Sequence, residues 1–179
     1  EIFLRIERKM IKIIARCCRN QGANRMRVEY INPFVEAAFN ILKEVLDVDL
    51  KRGELYLKST SQPVLGVTAI VGLTGDVAGR VLFDMAPKTA IDIASAMNNE
   101  TLEKFDEMGK ATITELANLI TAQAVTKLHE LGFEFELTPP AIFTGEQMEV
   151  TDNDIEALIV PIEMPQGKVE INVAVRENK

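Results

Sequence analysis

From Asp106 to Leu131 the chain repeats apolar residues on a helical period, and a helix this long with one apolar side must be covered by a second layer. At about 100° per residue, Ile113, Leu116, Ala117, Ile120, Ala124, Leu128 and Leu131 gather on that side. Gly132, just past the last of them, suits a helix C-cap. Glu115 and Asn118, three residues apart, share a different face, roughly 140 to 160° from the apolar set. One turn to either side of the pair stand Ala111 and Ala122, so nothing bulky shields the two polar groups. A Glu and an Asn on the wet side of a helix are ordinary surface chemistry, yet two features favour a docking face. Asn is a weak helix former at an interior position, and alanines occupy the places where long charged side chains are expected.

The remaining elements follow from local signals. Asn32-Pro33 reads as the opening of the first body helix, with Asn as N-cap and Pro at the first helical position. Phe34, Ala37, Ala38, Ile41, Leu42 and Val45 then recur at helical spacing to about Leu46. A strand-rich stretch begins at Gly53: Glu54 to Lys58 alternates, Val67 to Leu73 reads as a buried strand, and Gly79 to Met85 as its antiparallel partner across Thr74-Gly75-Asp76. Pro87 starts a second helix that ends near Asn98 and Asn99. After the long helix, Phe133 to Leu137 suits a strand that Thr138-Pro139-Pro140 breaks. Ala157 to Glu163 and Val169 to Val175 form a closing hairpin around Pro165-Gln-Gly167. The fold class expected is α/β (α+β): a two-layer sandwich with a mostly antiparallel sheet packed against long helices.

At 179 residues the chain fits one domain that buries about 70% of its unfolded surface. It contains no run of 18 apolar residues and no secretory signal pattern, so a soluble cytoplasmic protein, with no membrane partner, is expected. The adjacent Cys17 and Cys18 make a poor disulfide and lack zinc-site spacing, and the lone His129 builds no metal cluster. Residues 1–25 carry seven Lys/Arg and two Asp/Glu, a net of +5, against −12 for residues 26–179. So acidic a body argues against nucleic acid and suits a partner that offers a basic rim or a lysine.

The division expected is a basic amphipathic N-terminal extension over 1–25 and a folded domain over 26–179. In the extension Phe3, Ile6, Met10, Ile13 and Cys17 fall at helical spacing among Arg and Lys. Two readings compete for it: a membrane or partner anchor, or a non-native segment ahead of a start at Met26. The second is preferred, because an acidic domain beginning Met26-Arg-Val-Glu-Tyr looks complete without it.

Other candidate chemistry is weak. Gly72-Leu-Thr-Gly75-Asp-Val-Ala-Gly79 lacks the Lys-Ser/Thr ending and strand-to-helix context of a phosphate loop, and reads as a hairpin turn. Asn99-Glu-Thr101 is a chance sequon without a secretory signal. His129 has no nucleophile or acid at a recognisable spacing and reads as a surface histidine.

The run Glu115-Leu-Ala-Asn118, then Ala124 to Leu131-Gly132, a strand, and Thr138-Pro139-Pro140 resembles the CheC/CheX/FliY phosphatases of bacterial chemotaxis, whose motif is Glu-x-x-Asn followed some twenty residues later by Pro. The likeness is strongest to the CheX branch. It extends to Asn32 to Asp47, Ile70 to Phe83 and Pro87 to Met97, nearly the whole of 26–179. There are departures. Ala111 stands where the family often has Asp or Ser, and Glu36-Ala-Ala-Phe-Asn40 on the first helix is one residue too long for a second motif, which implies a single active site per chain.

The resemblance implies removal of the phosphoryl group from the aspartate of a phosphorylated CheY-like response regulator. Asn118 would align the attacking water, and Glu115 would anchor the partner's active-site lysine. It implies no cofactor or metal bound by this chain, with Mg²⁺ supplied by the phosphorylated partner, and a homodimer that joins its sheets edge to edge. Two alternatives stay open on the residues: a non-enzymatic adaptor that binds a response regulator or a flagellar-switch component, or a stand-alone hydrolase with Glu115 as base.

Overall fold

The computed structural model describes residues 28–58, 61–151 and 155–178. The basic segment 1–25, with Cys17 and Cys18, and Met26 lie outside the described residues. Among the described residues, three helices, α1 (Val28–Leu46), α2 (Pro87–Asn98) and α3 (Glu107–Glu130), are accompanied by ten strands. These are β1 (Lys51–Arg52), β2 (Tyr56–Lys58), β3 (Ser61–Pro63), β4 (Val67–Gly75), β5 (Val77–Met85), β6 (Phe135–Leu137), β7 (Ala141–Thr144), β8 (Glu149–Thr151), β9 (Ala157–Met164) and β10 (Gly167–Glu177).

Eight strands make one sheet whose ladders are all antiparallel. Its centre runs β9-β10-β5-β4; β1 and β2 share the outer side of β9, and β6 and β7 share the outer side of β4. β3 and β8 pair separately. Alternation divides the two faces. Val67, Ala69, Val71 and Leu73 of β4, Val81, Phe83 and Met85 of β5, and Val169, Ile171, Val173 and Val175 of β10 join Phe34, Ala38, Leu42, Ile93, Ile113, Leu116, Ile120 and Leu128 of the helices in one core. Burying one such side chain contributes about 1.5–3 kcal/mol. The opposite face is covered too, since Tyr56 and Ile155 pack on Ala157, Ile159 and Ala174. The sandwich of helices on an antiparallel sheet is as the sequence led us to expect.

The β4–β5 hairpin turns at Asp76, and the glycines on either side are demanded by contact. At Gly75 (φ +123°) and Gly79 (φ +152°) a Cβ would strike the backbone carbonyls of Glu134 and Ala174. The glycine-rich run is thus a hairpin turn, with Gly79 paired in register between Leu73 and Val175.

Three expectations are corrected. α1 does not open at Asn32-Pro33; it already includes Val28, and Pro33 lies inside it. An internal proline removes a hydrogen bond, but the turn before it is held by tertiary contacts. Ile31 is fully buried, the Tyr30 hydroxyl donates to Glu177 Oε1 at 2.6 Å, and its ring meets that of Phe133 edge-on at 5.0 Å. Second, the strand after α3 starts at Phe135 and not at Phe133, whose N–H closes the helix end; Thr138-Pro139-Pro140 breaks it after Leu137 as expected, while bonding along the edge of β4 continues. Thr138 exchanges two bonds with Gly72, its N–H donating to the carbonyl at 3.0 Å and its Oγ1 accepting from the N–H at 2.8 Å. Pairing resumes as β7, with Ala141 opposite Ile70. Third, Leu131 does not join the apolar face of α3: it is the C-cap residue, past the helical turn, and 53% exposed.

Candidate functional site

α3 is bounded as its sequence requires. Asp106 Oδ1 accepts from the N–H groups of Met108 at 3.1 Å and Gly109 at 3.2 Å, satisfying two donors that an α-helix start leaves open. At the other end Gly132 (φ +88°) donates to the His129 carbonyl at 2.9 Å and Phe133 to that of Leu128 at 3.0 Å, a Schellman closure. Between these caps Ile113, Leu116, Ala117, Ile120, Ala124 and Leu128 are buried, which fixes the rotation of the helix and therefore which residues it shows.

It shows Glu115 and Asn118. Both are exposed, as are Ala111 and Ala122 to either side, whereas Leu116 and Ala117 between them are buried. One helical turn brings the two side chains within about 5 to 6 Å at Cβ. The polar neighbours are self-satisfied: the hydroxyls of Thr112, Thr114, Thr121 and Thr126 donate to the carbonyls four residues earlier at 2.8, 2.8, 2.7 and 2.9 Å. Among the described residues nothing pairs with the Glu115 carboxylate or the Asn118 amide. An acceptor-only carboxylate and a group that both donates and accepts therefore face outward from one rigid strip.

The strip runs further than the sequence reading followed it. Met108, seven residues before Glu115 and so two turns along the same face, is 45% exposed. The heptad interval was the signal that could have placed it there. The Met108 carbonyl accepts from the Thr112 hydroxyl, which in turn accepts from Asn98 Nδ2 at 2.7 Å, joining the end of α2 to the strip.

The other candidates fall elsewhere. Glu36 and Asn40 line a groove of about 310 Å³ between α1 and α3 with Gln123, Lys127 and Glu130, at the far end of α3 from Met108. His129 is exposed, beside Thr74, Glu134 and Glu136 at a shallow cavity of about 780 Å³. No group of three or more His, Cys, Asp or Glu is placed to hold a metal among the described residues. Nor is any helix there long and apolar enough to cross a membrane.

The strongly perturbed ionisable groups sit on the far face of the sheet, away from the pair. Burial pushes Asp84 up to about 6, against the hydrogen bonds from Thr68 and Leu65, and lowers Arg80 to about 10. Burial, followed by the neighbouring Glu170, raises Tyr56 to about 12. These shifts belong to packing of the sheet.

Known proteins share both the sequence and the architecture. The profile of the family described as chemotaxis phosphatase CheX matches residues 67–163, which contain α3 and the Glu115 and Asn118 pair. The CheY-P phosphatase CheX of Thermotoga maritima is 24% identical over 126 residues, 70% of this chain and 81% of that protein. The CheX–CheY–BeF3–Mg²⁺ complex from Borrelia burgdorferi contains a similar chain, 43% identical, with a TM-score of 0.74 over 84% of this chain and all of that one. A CheC-like superfamily protein from Shewanella sp. PV-4 is 26% identical with a TM-score of 0.78, over 84% of this chain and 99% of its own. On the match to more than half of its residues, the chain belongs to the chemotaxis phosphatase CheX family.

Proposed function

We propose that this protein dephosphorylates the aspartyl phosphate of a CheY-like response regulator, with Glu115 and Asn118 as the two residues that do so. The observation that carries the reading is the outward, unpartnered pair on a capped helix, in a chain similar to a CheY-P phosphatase from Thermotoga maritima and to the CheX of a CheX–CheY complex from Borrelia burgdorferi. An aspartyl phosphate is an activated acyl phosphate, so little covalent chemistry is asked of the phosphatase. Mg²⁺ comes with the partner, as the composition of the Borrelia complex supports, and neutralises charge on the phosphoryl oxygens.

In this account the Asn118 carboxamide enters the partner's site and hydrogen-bonds a water, holding its oxygen in line with the P–O bond to the aspartate. The water oxygen bonds to phosphorus, the aspartyl P–O bond breaks, and its electron pair returns to the carboxylate. An amide takes no proton, so the water's proton passes to phosphate oxygen, and the gain comes from alignment. Glu115 pairs with the lysine of the partner's site in a charge-assisted bond that sets the register of the helix. The body's charge of −12 suits such a basic target.

The same reading includes a homodimer joined at the sheet edges. β7 supports it: it pairs with β4 on one side, and Phe143 is 49% exposed. The test of the function is the decay of a phosphorylated CheY-like regulator with and without this protein. Acceleration by the native chain and its loss in Asn118→Ala are expected; binding without acceleration would leave an adaptor.

A further inference from the structure

We propose that Met108 is the apolar contact that seats the response regulator on α3. Resting on the function proposed above, the inference adds what the partner must offer: an apolar patch lying about 10 Å from the lysine that Glu115 engages, the distance that seven residues span along a helix.

Three observations carry it. First, Met108 shares a stripe with the pair. Seven residues before Glu115, it lies within about 20° of it around the helix, so a partner that reaches Glu115 and Asn118 also covers Met108. A single side of a typical protein interface, about 800 Å², is wide enough to span all three. Among large exposed hydrophobics, Leu65 lies in the connection between β3 and β4, Phe143 on β7 and Leu131 beyond the end of α3, leaving Met108 alone on α3 among the described residues.

Second, the turn that presents Met108 is fixed on every side. Its N–H is capped by Asp106, and its carbonyl accepts from Thr112, which Asn98 holds in turn. The next residue, Gly109, is buried against the Phe105 ring, so closely that a Cβ there would meet Cδ2 at 2.9 Å. The backbone is preorganised while the thioether side chain remains adaptable, a combination suited to recognition of a surface of imperfect fit.

Third, the strip carries little net charge. Between Met108 and Asn118 the charged residues are Lys110 and Glu115, and Lys110 pairs with the exposed Glu107 at 2.7 Å. A partner that covers Met108 and Ala111 thus meets, besides the carboxylate that finds its lysine, one ion pair whose charges offset each other.

The experiment compares Met108→Glu, Met108→Leu, Leu131→Glu and Asn118→Ala, following both hydrolysis of the phosphorylated regulator and binding of the beryllofluoride form, which stands in for the phosphoryl group. Met108→Glu is expected to raise KM and Kd about tenfold or more with kcat held. Met108→Leu restores most of that loss, and Leu131→Glu, an equal charge change off the strip, is silent. Unchanged KM and Kd in Met108→Glu, or a fall in kcat alone, overturns the proposal. Full hydrolysis by Asn118→Ala instead overturns the parent reading; a dead Asn118→Ala beside a normal Met108→Glu sinks only this inference. Thermal melting of each variant separates loss of binding from loss of fold.

Discussion

Asn98, the last residue of α2, donates its side-chain amide to the Thr112 hydroxyl at 2.7 Å, and the same amide donates to the Ala94 carbonyl at 2.8 Å. One side chain thus closes its own helix and holds the neighbouring one at the turn beside Ala111. The Asn99 backbone, left-handed at φ +51°, completes the end of α2 and lets the chain leave toward Asp106.

Asn98→Ala removes both bonds from an exposed site and is expected to cost about 1 kcal/mol of stability. Denaturant unfolding checks this: a lower midpoint at unchanged slope is the expected result, and an unchanged midpoint would show the tie to be idle.

On the far face of the sheet Asp84 stands directly opposite Thr68 on β4 and Glu170 on β10. Its carboxylate accepts from Thr68 Oγ1 at 2.9 Å and from the Leu65 N–H at 2.9 and 3.0 Å, and burial still raises it to about 6. Because the folded value lies above the unfolded 3.8, the stabilising contribution is full below about 3.8 and is lost as pH rises through about 6. Lowering pH from 7.5 to 4.5 should therefore stabilise the native protein relative to Asp84→Asn by on the order of 2 kcal/mol. Melting curves of both proteins at the two pH values measure the difference. A gap that stays constant with pH would mean that Asp84 titrates as it does in the unfolded chain.

Much of this architecture was legible because its signals are local. Asp106 and Gly132 bracket α3, Pro87 opens α2, and the apolar period places Ile113, Leu116 and Ile120 against the sheet. The exposed pair followed from the same period, since what faces away from six buried positions must meet solvent. Illegible were features decided by contacts distant in sequence. The turn of α1 before Pro33 is held by Glu177 and Phe133, and β7 forms after two prolines because β4 still offers an open edge. The alternation of Glu54 to Lys58 placed Tyr56 on a strand, but nothing local showed that it meets Ile155, Ile159 and Ala174 on the second sheet face. The chemistry of the pair came from its family likeness; spacing alone describes any wet helix face.

Glu115 is assigned a charge pair, which makes its variants sensitive to sign and to salt. Glu115→Lys is expected to weaken binding of a beryllofluoride-activated regulator about tenfold or more, and Glu115→Gln by less. Raising ionic strength should weaken the native complex more than that of Glu115→Gln. Titrations at two salt concentrations, followed by fluorescence anisotropy, check both. Equal salt slopes would place Glu115 outside any charge contact with the partner.

The most direct measurement is single-turnover decay of a phosphorylated CheY-like regulator, with saturating native protein or Asn118→Ala, beside the affinity of each for the beryllofluoride form. If Asn118 aligns the water, the variant keeps its affinity within about threefold and loses about 100-fold in rate. Decay at the native rate in Asn118→Ala would contradict the account.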